Sequence, residues 1–403
     1  MPRFCLLPLL LLLTTPAWAQ GRFVDTRDKP TAAQLLQTWV FDDGALGFHN
    51  RFEGARLSHV QQHTDSTYEL LIQAENVPIN NSPWYAFKVW ADAPRTVHLT
   101  LRYDGGTHRY RPKLSHDGAT WTPLDDTAYR PDTTRGTADF TVPVGPDTLW
   151  VSAQELLTGT HYATWMDDYA AHPFVSRRPI GTSAQGVPLT MLEITEAGPE
   201  AGVVLLIGRQ HPPEVTGAIA MLTFMETLAA DTPLARAFRH RYLVAAVPFM
   251  NPDGVNTGQW RHNAHGIDLN RDWVLFNQPE TRAVRNAFLD YEAEPARPLL
   301  FGLDFHSTWQ DVFYPLDPSI PTTPPGLYEA WRTELDRRLP GYPIPDQPGR
   351  LNNPVSRNWF YNAFQIPSVI YEVGDTTDRD EIRQVATQAA EALMTVLNAL
   401  GGE

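Results

Sequence analysis

The segment VVLLIGRQHPPE, residues 203–214, predicts a buried strand that leads directly into a helix. Its first five residues are apolar and lie between two glycines, which is typical of a strand inside a sheet. His211 and Glu214 follow at once, and apolar residues then recur at helical spacing over residues 215–229. We therefore expect an imidazole and a carboxylate at the exit of a buried strand, where open α/β sheets bind ligands.

Three later segments carry polar side chains after further predicted strands. The first follows the predicted strand 242–247 and is rich in groups that bind carboxylates and carbonyl oxygens: Asn251, Asp253, Arg261, Asn263, Asp268, Asn270 and Arg271. The second contains His306 and Ser307, and the third contains Glu372. A catalytic zinc site needs three protein ligands, an open position for water and a nearby base. His211, Glu214, His306 and Glu372 together meet that need.

Composition narrows the class of protein. The chain of 403 residues is long enough for two or three domains, and its net charge of −14 argues against a nucleic-acid partner. Residues 1–19 resemble a signal peptide, with Arg3, an apolar run and a small-residue cleavage site at Ala17–Ala19. Cys5, the only cysteine, lies in this segment, so the mature chain has no thiol chemistry. We expect an exported protein, periplasmic or secreted, that starts near Gln20 and has no membrane span.

Two regions follow the predicted signal peptide. Residues 20–157 are predicted to form an all-β sandwich, because short alternating strands are separated by frequent turn residues. Its aromatic strand near Trp84 and Phe87 is interpreted as core, with a carbohydrate-stacking face as the alternative. Residues 158–403 alternate strands and helices, which indicates an α/β layer architecture. Strands are expected near 298–305 and 368–373, helices near 279–291, 325–339 and 380–400, and a long loop at 340–354.

The order of the polar motifs resembles that of zinc carboxypeptidases related to carboxypeptidase A. The residues that carry the resemblance are His211 and Glu214, the Asn-Pro-Asp-Gly segment 251–254, the segment 261–271, His306 with Ser307, and Glu372. The similarity runs from about residue 162 to the C-terminus. The β-rich region before it looks like that of the cytosolic carboxypeptidase branch, whose members remove glutamates from protein tails. The implied fold is a mixed-sheet α/β zinc carboxypeptidase domain preceded by an all-β sandwich.

The resemblance also implies a metal site and a base. Zn²⁺ would be held by His211, Glu214 and His306, with water in the open position. Asp268 would hydrogen-bond to His211 and fix its tautomer. Glu372 would act as the general base.

The same resemblance implies a peptide or protein C-terminus as the substrate. Arg261 would polarise the scissile carbonyl. Asn270 and Arg271 would hold the terminal carboxylate, and Ser307 is also expected to contact the substrate. The family's capping tyrosine has no clear counterpart, although Tyr361 is one candidate.

Several neighbouring residues have two interpretations. Arg350 and Arg357 either favour an acidic C-terminal residue or face solvent. Asp304 either supports His306 or is a buried cap. Solvent-exposed positions are expected for His262 and His265, and caps of the last helix are expected for Asp375, Thr377 and Asp378.

Two other classes of function remain open at this point. One is a zinc-dependent amidase or deacylase that acts on a cell-wall or other non-protein amide. The other is a catalytically silent binding protein that uses its β-domain for recognition. The presence of Glu372 beside a complete ligand set argues against a silent protein.

Overall fold

The computed structural model describes residues 26, 29, 31–294 and 296–400, so the predicted signal peptide lies outside the described residues. The N-terminal part consists of short strands, namely β1 (Thr38–Phe41), β2 (Leu46–His49), β3 (His59–Thr64), β4 (Thr67–Gln73), β5 (Ala86–Ala91), β6 (Arg95–Asp104), β7 (Lys113–Ser115), β8 (Thr122–Pro123), β9 (Tyr129–Asp132), β10 (Thr137–Val144) and β11 (Leu149–Ser152). They form a six-stranded sheet, β1-β2-β5-β11-β7-β8, and a five-stranded sheet, β3-β4-β6-β10-β9.

The two N-terminal sheets share one apolar core. Alternate residues of the five-stranded sheet, such as Leu70 and Leu99, are buried in it together with Phe87 of the six-stranded sheet. Trp84 lies in the same core, which confirms that the aromatic segment is core. Trp260, from the C-terminal part of the chain, is also fully buried there. The core of the β-sandwich therefore includes part of its neighbour.

The C-terminal part alternates strands and helices. Its elements are α1 (Gly159–Tyr169), β12 (Val175–Thr182), β13 (Pro188–Ile194), β14 (Gly202–Gly208), α2 (Val215–Ala229), α3 (Pro233–Arg239), β15 (Tyr242–Val247), α4 (Pro252–Asn256), α5 (Pro279–Glu292), β16 (Leu299–Thr308), β17 (Val312–Pro315), α6 (Leu327–Arg338), α7 (Ser356–Phe364), β18 (Ser368–Gly374) and α8 (Arg379–Leu400). Three short 3-10 helices complete the described elements: Asp42–Gly44, Asp126–Ala128 and Leu269–Arg271.

A single mixed sheet organises this second part, in the order β12-β13-β15-β14-β16-β18-β17. Its four central strands, β15, β14, β16 and β18, are parallel, and the strands at both edges are antiparallel. Central parallel strands are buried on both faces, which explains why β14 is apolar without alternation. Val204 and Leu206 pack on one face, while Leu205 and Ile207 pack on the other. The mixed α/β fold predicted from the sequence is confirmed.

The sheet brings the predicted site residues together at the carboxyl ends of its central strands. Strands β14, β16 and β18 are neighbours, and His306 is the register partner of Glu372. The helix α2 crosses β16 closely at Gly217, where an added Cβ would lie 2.2 Å from the carbonyl oxygen of His306. A side chain at this position would collide with β16, the strand that carries His306. Glycine therefore allows α2, which follows Glu214, to pack closely against that strand.

Most predicted elements agree with the observed ones within a few residues. Several other elements were not predicted, among them α1, α3, β12, β13, β17 and α7, the last of which lies just after the long loop predicted at 340–354. The first turn of α7 buries Ser356, Arg357 and Asn358, so the segment lacks an apolar helical period at its start. Among the helices that the structure describes, none combines the length and apolar character that crossing a bilayer requires.

Candidate active site

His211, Glu214 and His306 converge at the carboxyl ends of β14 and β16. The Nδ1 atoms of His211 and His306 lie 2.7 Å from Oε1 and Oε2 of Glu214, respectively, and 3.2 Å from each other. One potential ligand atom from each of the three residues lies within 4.8 Å of the others, and all three residues are buried. The structure thus brings together the three predicted metal ligands.

The backbone after β14 turns sharply to place two of these ligands. Arg209 adopts a φ of 54°, in the left-handed region that non-glycine residues rarely occupy. Glu214 then occupies the N-cap position of α2. Left-handed backbone at a non-glycine residue costs free energy and is often found at functional sites. The short connection between strand and helix therefore presents His211 and Glu214 to the same cleft.

Each imidazole has a carboxylate behind it. His211 Nε2 lies 2.9 Å from Asp268 Oδ1, and His306 Nε2 lies 2.8 Å from Asp304 Oδ2. When the imidazoles are neutral, as metal ligands must be, these carboxylates can accept the Nε2 protons, which leaves both Nδ1 lone pairs directed at Glu214. Lone pairs and a carboxylate that face one another repel unless a cation lies between them. Two imidazole nitrogens and a carboxylate form a typical ligand set for catalytic zinc, so this donor set fits Zn²⁺.

The surroundings of Glu214 keep this carboxylate in the ionised form that binds a metal. Burial alone would raise the pKa of Glu214, but His211 and His306 hold it well below its ordinary value. Arg261 adds a positive charge, with its Nη1 atom 3.7 Å from Glu214 Oε1. Glu214 is therefore ionised, as a metal ligand must be.

Asp304 is held by residues that the sequence did not single out. Gln210 donates from Nε2 to Asp304 Oδ2 at 2.6 Å, and the Ser356 hydroxyl donates to the same oxygen. Trp273 in turn donates from Nε1 to Gln210 Oε1 at 2.9 Å. Of the two interpretations of Asp304, the structure supports the one in which it orients His306. Because Gln210 directly precedes His211, its position next to a predicted ligand was the only signal in the sequence.

Glu372 lies beside the ligands without being one of them. It is paired with His306 across β16 and β18, and its Oε2 atom is buried without a hydrogen-bond partner among the described residues. Burial raises the pKa of Glu372 to about 8, with Glu214 acting in the same direction and His306 opposing it. A carboxyl group with a raised pKa in a cleft has the properties expected of a general base.

The segment between β15 and α5 supplies two arginines of the cleft. Arg261 donates from Nε to Asp268 Oδ2 at 2.8 Å, so Asp268 contacts both this arginine and His211. Arg271 donates from Nη1 to the carbonyl oxygen of Asn270 at 2.8 Å. Burial lowers the pKa of Arg271, and this guanidinium forms no ion pair among the described residues. Of these two arginines, Arg261 is fixed by a carboxylate and Arg271 has no anionic partner among the described residues.

Two residues predicted to contact the substrate, Asn270 and Ser307, also form hydrogen bonds within the protein. Asn270 Oδ1 accepts a hydrogen bond from the backbone N–H of Ser356 at 3.0 Å. Ser307 Oγ accepts from the backbone N–H of Gly217 at 2.8 Å and from Thr216 Oγ1 at 2.7 Å. Both residues line the cleft. Their assignment to substrate binding stays a prediction, and Ser307 in addition fastens α2 to β16.

The cleft has a volume of about 520 Å³ and includes the ligands, Glu372, Arg261 and Arg271. Arg357 lines it and donates from Nη1 to the carbonyl oxygens of Tyr314 and Pro315, at 3.3 and 3.1 Å. Arg350 is exposed and Tyr361 is partly buried, and neither belongs to the lining. The tyrosine in the lining is Tyr314. No sequence pattern pointed to Tyr314, because β17 is a short edge strand far from the recognised motifs.

The β-sandwich forms one wall of the cleft. Its residues Asn80, Asn81, Ser82 and Arg109 line the cleft together with residues of the C-terminal part. Arg109 Nε lies 2.8 Å from Asp375 Oδ2, and both side chains are largely buried. Charged groups in a buried pair need each other, because either one alone would be left without solvation. The wall is therefore attached to the chain three residues after Glu372.

Three expectations from the sequence are wrong in this region. His262 is buried, not solvated, and its Nδ1 atom lies 2.6 Å from Asn76 Oδ1. Asp375 is paired with Arg109, and Thr377 donates to Asp311 Oδ1 at 2.8 Å, so neither caps the last helix. Each of these side chains finds a partner remote in sequence. Two expectations nearby are correct: His265 is exposed, and Asp378 Oδ1 accepts from the backbone N–H of Asp380 at 2.9 Å, as a cap does.

The fold and the ligand set agree with a comparison against known families. Residues 162–400 match the zinc carboxypeptidase family, and the chain belongs to this family. The region that matches contains all the predicted metal ligands and Glu372.

Particular relatives are found within that family. Cytosolic carboxypeptidase 6 of Mus musculus is 25% identical over 288 residues, which cover 66% of this chain and 53% of the relative. Cytosolic carboxypeptidase 3 of Mus musculus is 25% identical over 368 residues, which cover 77% of this chain and 34% of the relative. The chain thus spans about half or less of the length of these curated relatives.

Solved structures share the fold over most of the chain. A metallo-carboxypeptidase from Burkholderia cenocepacia aligns with a TM-score of 0.74 and 19% identity, covering 89% of this chain and all of that one (100%). A metallo-carboxypeptidase from Pseudomonas aeruginosa, in complex with (2-guanidinoethylmercapto)succinic acid, has a TM-score of 0.71 and 19% identity over 88% of this chain and 99% of that one. Because the aligned share extends beyond the catalytic sheet, the similarity includes much of the β-sandwich.

Proposed function

We propose that this protein is a zinc-dependent carboxypeptidase that hydrolyses the last peptide bond of a peptide or protein. The observation that carries the proposal is Arg271, a half-buried guanidinium without an anionic partner among the described residues, in the cleft that contains the metal ligands. A substrate carboxylate would supply the missing anion, because the planar guanidinium matches a carboxylate in two hydrogen bonds. Asn270 beside it supplies an amide group to the same pocket.

The residues of the cleft divide the chemistry between them. When bound by His211, Glu214 and His306, zinc would supply a Lewis acid. Glu372 would take a proton from the attacking water and pass it to the leaving amine. Arg261 would stabilise the negative charge that develops on the carbonyl oxygen.

The decisive experiment compares wild type and Arg271→Ala on a peptide with a free C-terminal acid and on the same peptide amidated. Amidation removes the charge and leaves Arg271 unpaired in a partly desolvated pocket. Losing one partner of such a pair costs about 2–5 kcal/mol, which corresponds to roughly 30- to several-thousand-fold in kcat/KM. Wild type should therefore lose that factor on the amidated peptide. Arg271→Ala should lose a similar factor on the free acid and little more on the amide.

Product masses complete this experiment and test the alternatives. Release of single C-terminal residues only from free-acid peptides supports the proposal. Internal cleavage, or a wild type indifferent to amidation, would contradict it and favour a general amidase.

Peptides ending in glutamate, leucine and lysine should be included, because Arg357 lines the cleft and would favour an acidic C-terminal residue. Equal turnover of the three would exclude that preference. Arg350→Ala, which changes an exposed arginine outside the lining, is a matched control.

We also propose that the protein is exported. The support is the leader at residues 1–19, with Arg3, an apolar run and Ala17–Ala19 in the order of a signal peptide. The mass of the protein recovered from the cell envelope or the medium should correspond to a chain that starts at Gln20. A cytoplasmic form that retains Arg3 and Cys5 would contradict export.

A further inference from the structure

Glu75, a residue of the β-sandwich, binds the backbone of the segment that carries Arg261. It lies just after β4 and is completely buried, with 0% exposure. Its Oε2 atom accepts the backbone N–H of Trp260 at 2.8 Å. Its Oε1 atom accepts those of Arg261 at 2.9 Å and His262 at 2.8 Å. One carboxylate thus binds three consecutive N–H groups from the other part of the chain.

Neighbouring contacts keep this segment on the β-sandwich. Asn76 donates from Nδ2 to the carbonyl oxygen of Gly266 at 3.1 Å, and its Oδ1 lies 2.6 Å from His262 Nδ1. The backbone of Gly266 passes so close that an added Cβ would lie 2.3 Å from Asn76 Nδ2. The Trp260 side chain is buried in the core of the β-sandwich. The segment is therefore held by backbone, side-chain and apolar contacts at once.

Arg261 is consequently fixed from two sides. Its backbone N–H is bound by Glu75, and its Nε atom by Asp268 at 2.8 Å, while Nη1 lies 3.7 Å from Glu214. Asp268 belongs to the same segment as Arg261 and could shift together with it. Glu75 comes from the other part of the chain and can hold the segment at a defined place relative to the metal ligands.

We propose that Glu75 is a positioning residue for the reaction, which sets the place of the Arg261 guanidinium through its three backbone contacts. This inference rests on the proposed function. Through Glu75, the β-sandwich then contributes directly to the geometry of the active centre. A group that stabilises charge in the transition state must be preorganised, and a misplacement of about 1 Å can cost roughly 100-fold in rate.

Glu75→Gln is the variant that tests the proposal. The amide keeps the size of the side chain, but one oxygen acceptor becomes an NH₂ group that faces backbone N–H donors. We expect kcat to fall by about 10- to 100-fold, because Arg261 acts on the transition state. KM should change by less than about threefold, because the pocket around Arg271 is formed by other contacts. Zinc content should be unchanged.

A double-mutant cycle separates positioning from general stability. Glu75→Gln, Arg261→Ala and the double variant are compared with wild type for kcat, KM, zinc content and melting temperature. If Glu75 acts through Arg261, then Glu75→Gln should cost less than about twofold further in the Arg261→Ala background. Thr31→Val is the matched control, because Thr31 Oγ1 donates to the carbonyl oxygen of Ala264 at 3.2 Å in the same segment without contacting Arg261. It should keep the wild-type kcat.

The outcomes are distinct. Equal losses from Glu75→Gln in both backgrounds, or an unchanged kcat, would overturn the inference. Absence of turnover in wild type would instead overturn the proposed function. If Glu75→Gln does not fold, Glu75→Asp takes its place in the cycle, since it keeps the carboxylate but withdraws it from the three N–H groups. It should also lower kcat, and this loss should disappear in the Arg261→Ala background. An unchanged kcat in Glu75→Asp would then overturn the inference.

Discussion

Glu372→Gln is expected to lower kcat by roughly 100- to 10,000-fold, the range that general-base steps contribute, and to leave zinc bound. The reason is the place of Glu372: it pairs with His306 across β16 and β18, and its buried Oε2 atom has no partner among the described residues. An amide of the same size cannot accept a proton from water at that place. Turnover of a free-acid peptide and zinc per chain should be measured on the same preparation.

Glu193→Gln is a suitable control for this substitution. Glu193 lies on β13 of the same sheet, outside the cleft, where its Oε2 accepts from Ser176 and its Oε1 from Tyr291. In Gln, the amide oxygen can accept from Tyr291 and the NH₂ group can donate to the Ser176 hydroxyl. It should keep near-wild-type turnover. A Glu372→Gln variant that retains activity would show that another group is the base. A variant that loses its metal would show that Glu372 is a ligand.

His306→Ala is expected to lose both zinc and activity, whereas wild type should hold one zinc ion per chain. The substitution removes one of three ligands and leaves Glu214 with only one imidazole beside it. Lewis-acid stabilisation is worth several kcal/mol, so turnover should fall by roughly a thousandfold or more. Metal analysis and kcat are the measurements. Removing zinc from wild type with a chelator should also lower its melting temperature, because a ligand bound only by the folded state stabilises it.

Two further variants make the metal assignment specific. His116→Ala changes an exposed histidine of the β-sandwich and should keep full zinc occupancy. Asp304→Asn keeps all three ligands but weakens the hydrogen bond to His306 Nε2, and should weaken zinc binding by about 10- to 100-fold. Full zinc occupancy in His306→Ala would contradict the ligand set.

The sequence predicted the catalytic sheet and the metal ligands for a physical reason. Parallel strands are buried and apolar, so runs of residues such as Val204 and Leu206 mark them clearly. The carboxyl ends of neighbouring parallel strands lie on the same side of the sheet. The polar residues that follow β14 and lie near the ends of β16 and β18 therefore come together. Short, local patterns were enough to find His211, Glu214, His306 and Glu372.

What the sequence could not predict depends on partners remote along the chain. Glu75 follows an ordinary strand, and only the folded structure shows that its carboxylate meets the backbone N–H of Arg261. Arg109 and Asp375 are 266 residues apart and form a buried pair. No periodicity or spacing marks such residues. Their contacts form only where the β-sandwich packs against the C-terminal part of the chain.

The placement of Trp260 has a consequence for how this chain can be divided. Its indole is buried in the core of the β-sandwich although its backbone belongs to the segment that carries Arg261. A break in the chain near residue 157 would therefore not release an intact catalytic module. It would uncover an indole, leave Asp375 without Arg109 and free the backbone of Arg261 at the same time. The two parts of this chain are therefore expected to fold as one unit.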